Sequence, residues 1–143
     1  MTLLSIHAGA TLAMVGVIWF VQLVHYPLFA LASERQFAGF AEAHQRRTSW
    51  VVMPLMLTEL TTAVLLLLDP PLGLDHRLLW LGIGLLAFIW ISTALLQVPL
   101  HQRLTRHRDL SAIHRLVATN WLRTAAWTAR GALALALITQ TSP

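Results

Sequence analysis

The sequence contains no cysteine and no lysine, and only 11% of its residues are charged. The lack of cysteine excludes a disulfide framework, a thiolate nucleophile and a cysteine-ligated metal. The shortage of charge excludes a water-facing surface, because soluble domains are roughly a quarter charged. Ten basic residues, all arginine, against six acidic ones give a formal charge of +4. Taken alone, that balance would suit nucleic acid. The arginines instead gather in two links between apolar stretches rather than along one polar face, so they read as topology signals and no nucleic-acid partner is expected.

What the chain has in abundance is apolar sequence: 57% of its residues, with a mean hydropathy of +0.65. Four apolar segments run from Leu3 to about Leu31, Trp50 to Leu68, Leu78 to about Leu100 and Leu116 to Ile138. Each reaches the ~20 residues that a helix needs to cross a bilayer core. Continuous apolar runs lack the alternation of barrel strands, so helices are the expected spanning form. The expected fold is all-α, a four-helix transmembrane bundle with residues 1–143 as one integral membrane domain. The first segment is read as a retained helix, because no Lys or Arg precedes it and it exceeds the ~7 to 15 residues of a leader's apolar region.

Asp69-Pro70-Pro71-Leu72-Gly73 stops the second helix, and no internal repeat stands out. Arg35, Arg46 and Arg47 lie in the first link and Arg103, Arg106 and Arg108 in the third. The positive-inside rule then places those links in the cytoplasm and both termini on the extracytoplasmic side.

A simple membrane anchor would not retain the polar residues found inside these segments, where an ionisable side chain costs roughly 2.5 to 3.5 kcal/mol at mid-bilayer. Asn120, Arg123, Trp127 and Arg130 follow helical spacing and form one stripe; Trp90, Thr93, Gln97 and His101 form another. Gln22 and His25 sit one turn apart near the inner end of the first helix. Counting rise from the cytoplasmic ends sets His25, Gln97, His101, Asn120 and Arg123 at similar depth, with His44 able to fold over them. Glu59 is expected deeper, within reach of Arg123. His7 and Arg130 are placed near the outer interface, with Arg130 free to snorkel.

Two meanings fit this pattern. In one, His25, His44 and His101 ligate a redox metal such as iron or copper, or a haem, since neutral imidazole suits such ions. No closely spaced ligand pair supports that chemistry. In the other, histidines at helix ends are ordinary interfacial residues and Glu59 with Arg123 is a structural ion pair.

The strings Gln22-Leu-Val-His25-Tyr26-Pro27, Gln97-Val-Pro99-Leu-His101 and Asn120-Trp121-Leu-Arg123-Thr124, with Trp127 and Arg130, resemble small four-helix bacterial membrane proteins. That largely uncharacterised family is grouped with anthrone oxygenases. The resemblance spans most of the chain and implies an inner-membrane oxygenase or oxidoreductase acting on a lipophilic, polycyclic aromatic compound. It further implies that His25, Gln97, Asn120 and Arg123 line the pocket. His101 departs from the family pattern, in which asparagine follows proline and leucine.

The resulting expectation is catalytic work by Glu59, Arg123, Asn120 and Gln97, with Arg123 stabilising an enolate and Glu59 holding Arg123 or moving a proton. The rival is a non-catalytic bundle, a small transporter or partner-binding subunit. Its proton or solute path would need a polar line from His7 and Arg130 through Glu59 to Arg123. Oligomeric state is left open, since Gly82 and Gly84 do not form a small-xxx-small motif.

Overall fold

The computed structural model describes residues 2–141, and among them every regular element is helical. The first apolar segment becomes α1 (Thr2–Phe20), a π-helical turn (Val21–His25) and α2 (Tyr26–Phe29). A short 3₁₀ turn (Glu34–Gln36) leads into α3 (Phe37–Leu68). The third segment repeats the first: α4 (His76–Ser92), a π turn (Thr93–Gln97) and α5 (Val98–Leu104), followed by α6 (Leu110–Thr141).

A proline follows each π turn, although Pro54 lies inside α3 without one, so proline favours these turns but does not by itself dictate them. Pro27 and Pro99 lack an N–H, and each ring would collide with the carbonyl four residues earlier in a continuous α-helix. Widening the preceding turn by one residue relieves that clash without breaking the rod. The chain is therefore two hairpins of one plan, each a rod with a π turn followed by a helix of 32 residues. This repeat lies in backbone geometry and not in residue identity, so no sequence repeat announces it.

Packing follows the same plan. α1 lies against α3 and α6, and α4 lies against α3 and α6, which sets α1 opposite α4 and α3 opposite α6 in a four-rod bundle. The core is layered. Phe29, Phe37, Leu104 and Leu116 fill one end; Met14, Met56, Ile89 and Trp127 fill the middle; Leu4, Leu66, Leu79 and Leu137 fill the other end. Outward positions are also apolar, among them Phe20, Leu23, Leu68, Ile91 and Leu95. A surface of that kind suits lipid.

Three rods are long and apolar enough to cross a membrane: Thr2–Phe29, Glu34–Leu68 and His76–Leu104. The fourth helix, α6, matches α3 in length but carries the Asn120–Arg130 polar stripe, which lowers its apolar content. Both long helices start well before the expected segments, at 37 rather than 50 and at 110 rather than 116. Asp109 caps α6: its carboxylate accepts from the Ser111 hydroxyl and the Ala112 amide and pairs with Arg103 at 2.5 Å. Those contacts, the Ser111 hydrogen bond foremost, hold its carboxyl below the usual range, at about 2.

α6 meets α1 tightly at Gly131, where a Cβ would meet Val15 Cγ2 at 3.0 Å and Leu12 Cδ2 at 3.5 Å. A branched side chain has nowhere to go there. Gly131→Val is expected to destabilise the bundle by about 1–3 kcal/mol through overpacking. Gly9→Val, where a Cβ would meet nothing within 4 Å, serves as control. Equal stability of the two variants in detergent unfolding would refute this account of the contact.

Candidate functional site

The buried polar groups fall into two layers. The first centres on Glu59, which is 0% exposed. Its Oε1 accepts from the Thr11 hydroxyl at 2.9 Å and from Arg130 Nε at 2.8 Å, and its Oε2 accepts from Trp127 Nε1 at 3.1 Å. Arg130 Nη1 also donates to the Gly82 carbonyl. His7 Nδ1 lies 2.8 Å from the Thr62 hydroxyl, one turn further along α3. Three expectations are corrected here. Glu59 pairs with Arg130 and not with Arg123; Arg130 is buried in that pair instead of snorkelling; His7 is a core residue.

The second layer is built by the two π turns, each presenting a glutamine to α6. Gln22 Nε2 donates to the Val117 carbonyl at 3.2 Å, and Gln22 Oε1 accepts from Asn120 Nδ2 at 2.9 Å. Asn120 Oδ1 in turn accepts from Arg123 Nη1 at 2.9 Å. A carbonyl can only accept, so each amide in this row has one permitted orientation. Arg123, over the Trp127 ring at 5.1 Å from its centroid, is thus aimed by a fixed chain.

Gln97 is fixed by similar logic. Its Nε2 donates to the Thr119 hydroxyl at 3.0 Å, whose own proton goes to the Arg115 carbonyl at 2.7 Å. Gln97 Oε1 is left without a protein partner, as is Arg123 Nε, although Gln97 is only 2% and Arg123 only 5% exposed. Both residues line one cavity.

That cavity, of about 160 Å³, lies between α3 and the π turn and α5 of the third rod, with α1 behind it. Its walls are mostly apolar, including Met14, Ile18, Val52 and Met56; Tyr26, His44, Gln97, His101 and Arg123 supply polar groups. An apolar cavity of about 150 Å³ accommodates one benzene ring. The Tyr26 hydroxyl is 2.9 Å from His101 Nε2 and lies beside the Arg123 guanidinium. A guanidinium only donates, so the hydroxyl accepts from Arg123, and the tautomer of His101 sets which of the phenol and the imidazole donates to the other. Tyr26 was not singled out by its sequence position; its signal was a phenol inside an apolar run, which needs a polar partner.

The three inner histidines do meet. His25 stacks on His44 with ring centroids 4.4 Å apart, and His44 lies 5.4 Å from His101. Their nitrogens, however, face each other and their neighbours. His25 Nε2 is 2.6 Å from His44 Nδ1, which is also 3.1 Å from the Thr48 hydroxyl. Among the described residues no group of three or more His, Cys, Asp or Glu side chains is arranged to hold a metal. The expected metal site at His25, His44 and His101 is therefore without support among the described residues.

Between the two layers stands Trp127, 0% exposed. Its indole donates to Glu59 on one side and offers only its ring face to Arg123 on the other. The ring lies between Glu59 and Arg123 without a hydrogen bond to the guanidinium. The chain matches no family model, and no curated protein or solved structure is similar to it.

Proposed function

We propose that this chain is a membrane-embedded oxidoreductase of oxygenase type, which takes a proton from a lipophilic aromatic ketone or enol bound in the cavity. The supporting observation is the convergence of Tyr26–His101, Arg123 and Gln97 on a cavity of one-ring size that His44, Gln45, Thr48, Ser49 and Thr93 also line. Arg123 holds the ligand oxygen as charge develops on it. The Tyr26 oxygen receives the ligand proton while its own passes to His101 Nε2, in the tautomer whose Nε2 is unprotonated. With dioxygen as oxidant the overall change balances as the CH₂ beside the carbonyl plus O₂ giving C=O plus H₂O. No step is assigned to a metal.

In this reading the arginine-rich links lie in the cytoplasm, both termini lie outside, and the membrane is the bacterial inner membrane. Asn120 and Gln22 are positioning residues for Arg123. Glu59 belongs to the structural layer, whose groups are largely committed to one another, and there the non-catalytic meaning of buried charge holds.

Proton abstraction can be tested without any oxidant. A lipophilic aryl ketone deuterated beside its carbonyl should lose label to water when incubated anaerobically with the protein in nanodiscs. His101→Ala should slow that washout by about 10²- to 10⁴-fold, the usual contribution of a general base. Washout no faster than in empty nanodiscs would sink the proposal.

A further inference from the structure

A second hollow lies on the outside of the bundle, in the seam between the first rod and α3. It is an open groove of about 470 Å³, with Gly16, Phe20 and Val51 along its apolar length and His25 and Arg47 among its lining. The two rods are antiparallel, His7 meeting Thr62, Thr11 meeting Glu59 and His25 meeting His44. Arg47, about one turn after His44, therefore stands at the His25 end. From Gly16 to His25 the groove follows about 13 Å of helical rise, close to the ~15 Å of hydrocarbon in one leaflet. Gly16 leaves its floor open, since a Cβ there would meet nothing within 4 Å. Trp50, 76% exposed, lies one turn beyond Arg47 and marks that end as headgroup level.

Arg47 is exposed and pairs with no carboxylate: among the described residues the ion pairs are Arg103–Asp109 and Glu59–Arg130. An unpaired cation at the end of an apolar channel is complementary to an amphiphile with an anionic head. The channel opens on the apolar wall of the bundle, beside Phe20 and Val51, so its occupant arrives from the bilayer. We infer that this groove seats one anionic phospholipid, with its headgroup phosphate on Arg47 and an acyl chain laid from His25 toward Gly16. A guanidinium matches phosphate oxygens with two parallel N–H donors, and basic pockets between helices at headgroup level suit such heads. Arg106, in the other basic link, is equally exposed but lines neither this groove nor the enclosed cavity. Nothing in this placement depends on what the enclosed cavity binds.

The test is native mass spectrometry of the full chain in detergent, equilibrated with equal amounts of dioleoyl phosphatidylglycerol and dioleoyl phosphatidylcholine, which differ in head charge and not in tails. The first lipid retained should be phosphatidylglycerol, favoured about fivefold, the effect of one arginine at a membrane surface. Arg47→Gln should reduce that preference to within about twofold, whereas Arg106→Gln should leave it intact. Gly16→Leu, whose side chain fills the groove without altering charge, should lower retention of the first lipid at least about fourfold, the equivalent of one methylene left unburied. Helical circular dichroism verifies that each variant is folded. Absence of a headgroup preference in the unmodified chain would overturn the site, and so would equal losses in Arg47→Gln and Arg106→Gln, the mark of a general attraction to basic links. Undiminished retention by Gly16→Leu would overturn the seating of the acyl chain.

Discussion

Glu59→Ala should lose about 3–5 kcal/mol of stability, the cost of removing one partner from a buried ion pair. The magnitude comes from what remains behind. Arg130 is 3% exposed and would keep a full positive charge with only the Gly82 carbonyl to answer it. Thr11 and Trp127 would lose their acceptor as well. The double variant Glu59→Leu/Arg130→Met removes both charges and should recover most of the loss, since a well-packed apolar pair can match a buried salt bridge. Urea unfolding of micelle-embedded protein, followed by tryptophan emission, measures both. A Glu59→Ala protein within about 1 kcal/mol of the unmodified chain would contradict the idea that this layer holds the bundle together.

The second large effect concerns chemistry and not folding. Arg123→Met should lower turnover of a lipophilic aryl ketone by about 10²- to 10³-fold, the loss typical of removing one donor to a developing oxyanion. Stability should change far less than in Glu59→Ala, because Arg123 borders a cavity and no carboxylate depends on it. Arg123→Lys should not restore activity: an ammonium cannot both donate to Asn120 and reproduce the planar fork over Trp127. Asn120→Ala, which cuts the orienting chain but keeps the guanidinium, should fall between the two. Turnover by Arg123→Met close to that of the unmodified chain would remove Arg123 from the mechanism.

The apolar segments and their polar stripes were legible in the sequence because hydrocarbon penalises charge so heavily that its exceptions stand out. The grouping of Gln97, Asn120, Arg123 and the inner histidines followed from helical spacing alone. The partner of Glu59 did not, and the reason is a register error. Depth was counted from the first apolar residue, but α3 begins at Phe37 and α6 at Leu110, so the two helices project unequally beyond their apolar runs. Counted from these true starts, Glu59 is level with Arg130, about two turns beyond Arg123. The π turns also shifted faces: Gln22 turns to α6 while His25 turns to α3, although a regular helix would set them side by side. Periodicity arguments assume 3.6 residues per turn, and they fail where a π turn changes that number.

Trp127 has a bearing on the membrane as an insulator. A bundle that lodges a carboxylate, two guanidiniums and several imidazoles in the low-dielectric slab risks becoming a leak for the voltage that the membrane stores. An indole N–H donates but has no lone pair with which to receive, so a proton delivered to Glu59 finds no onward step toward Arg123 through that ring. The guanidinium beyond the ring has no lone pair either, so Trp127 and Arg123 form two successive non-acceptors between the polar layers.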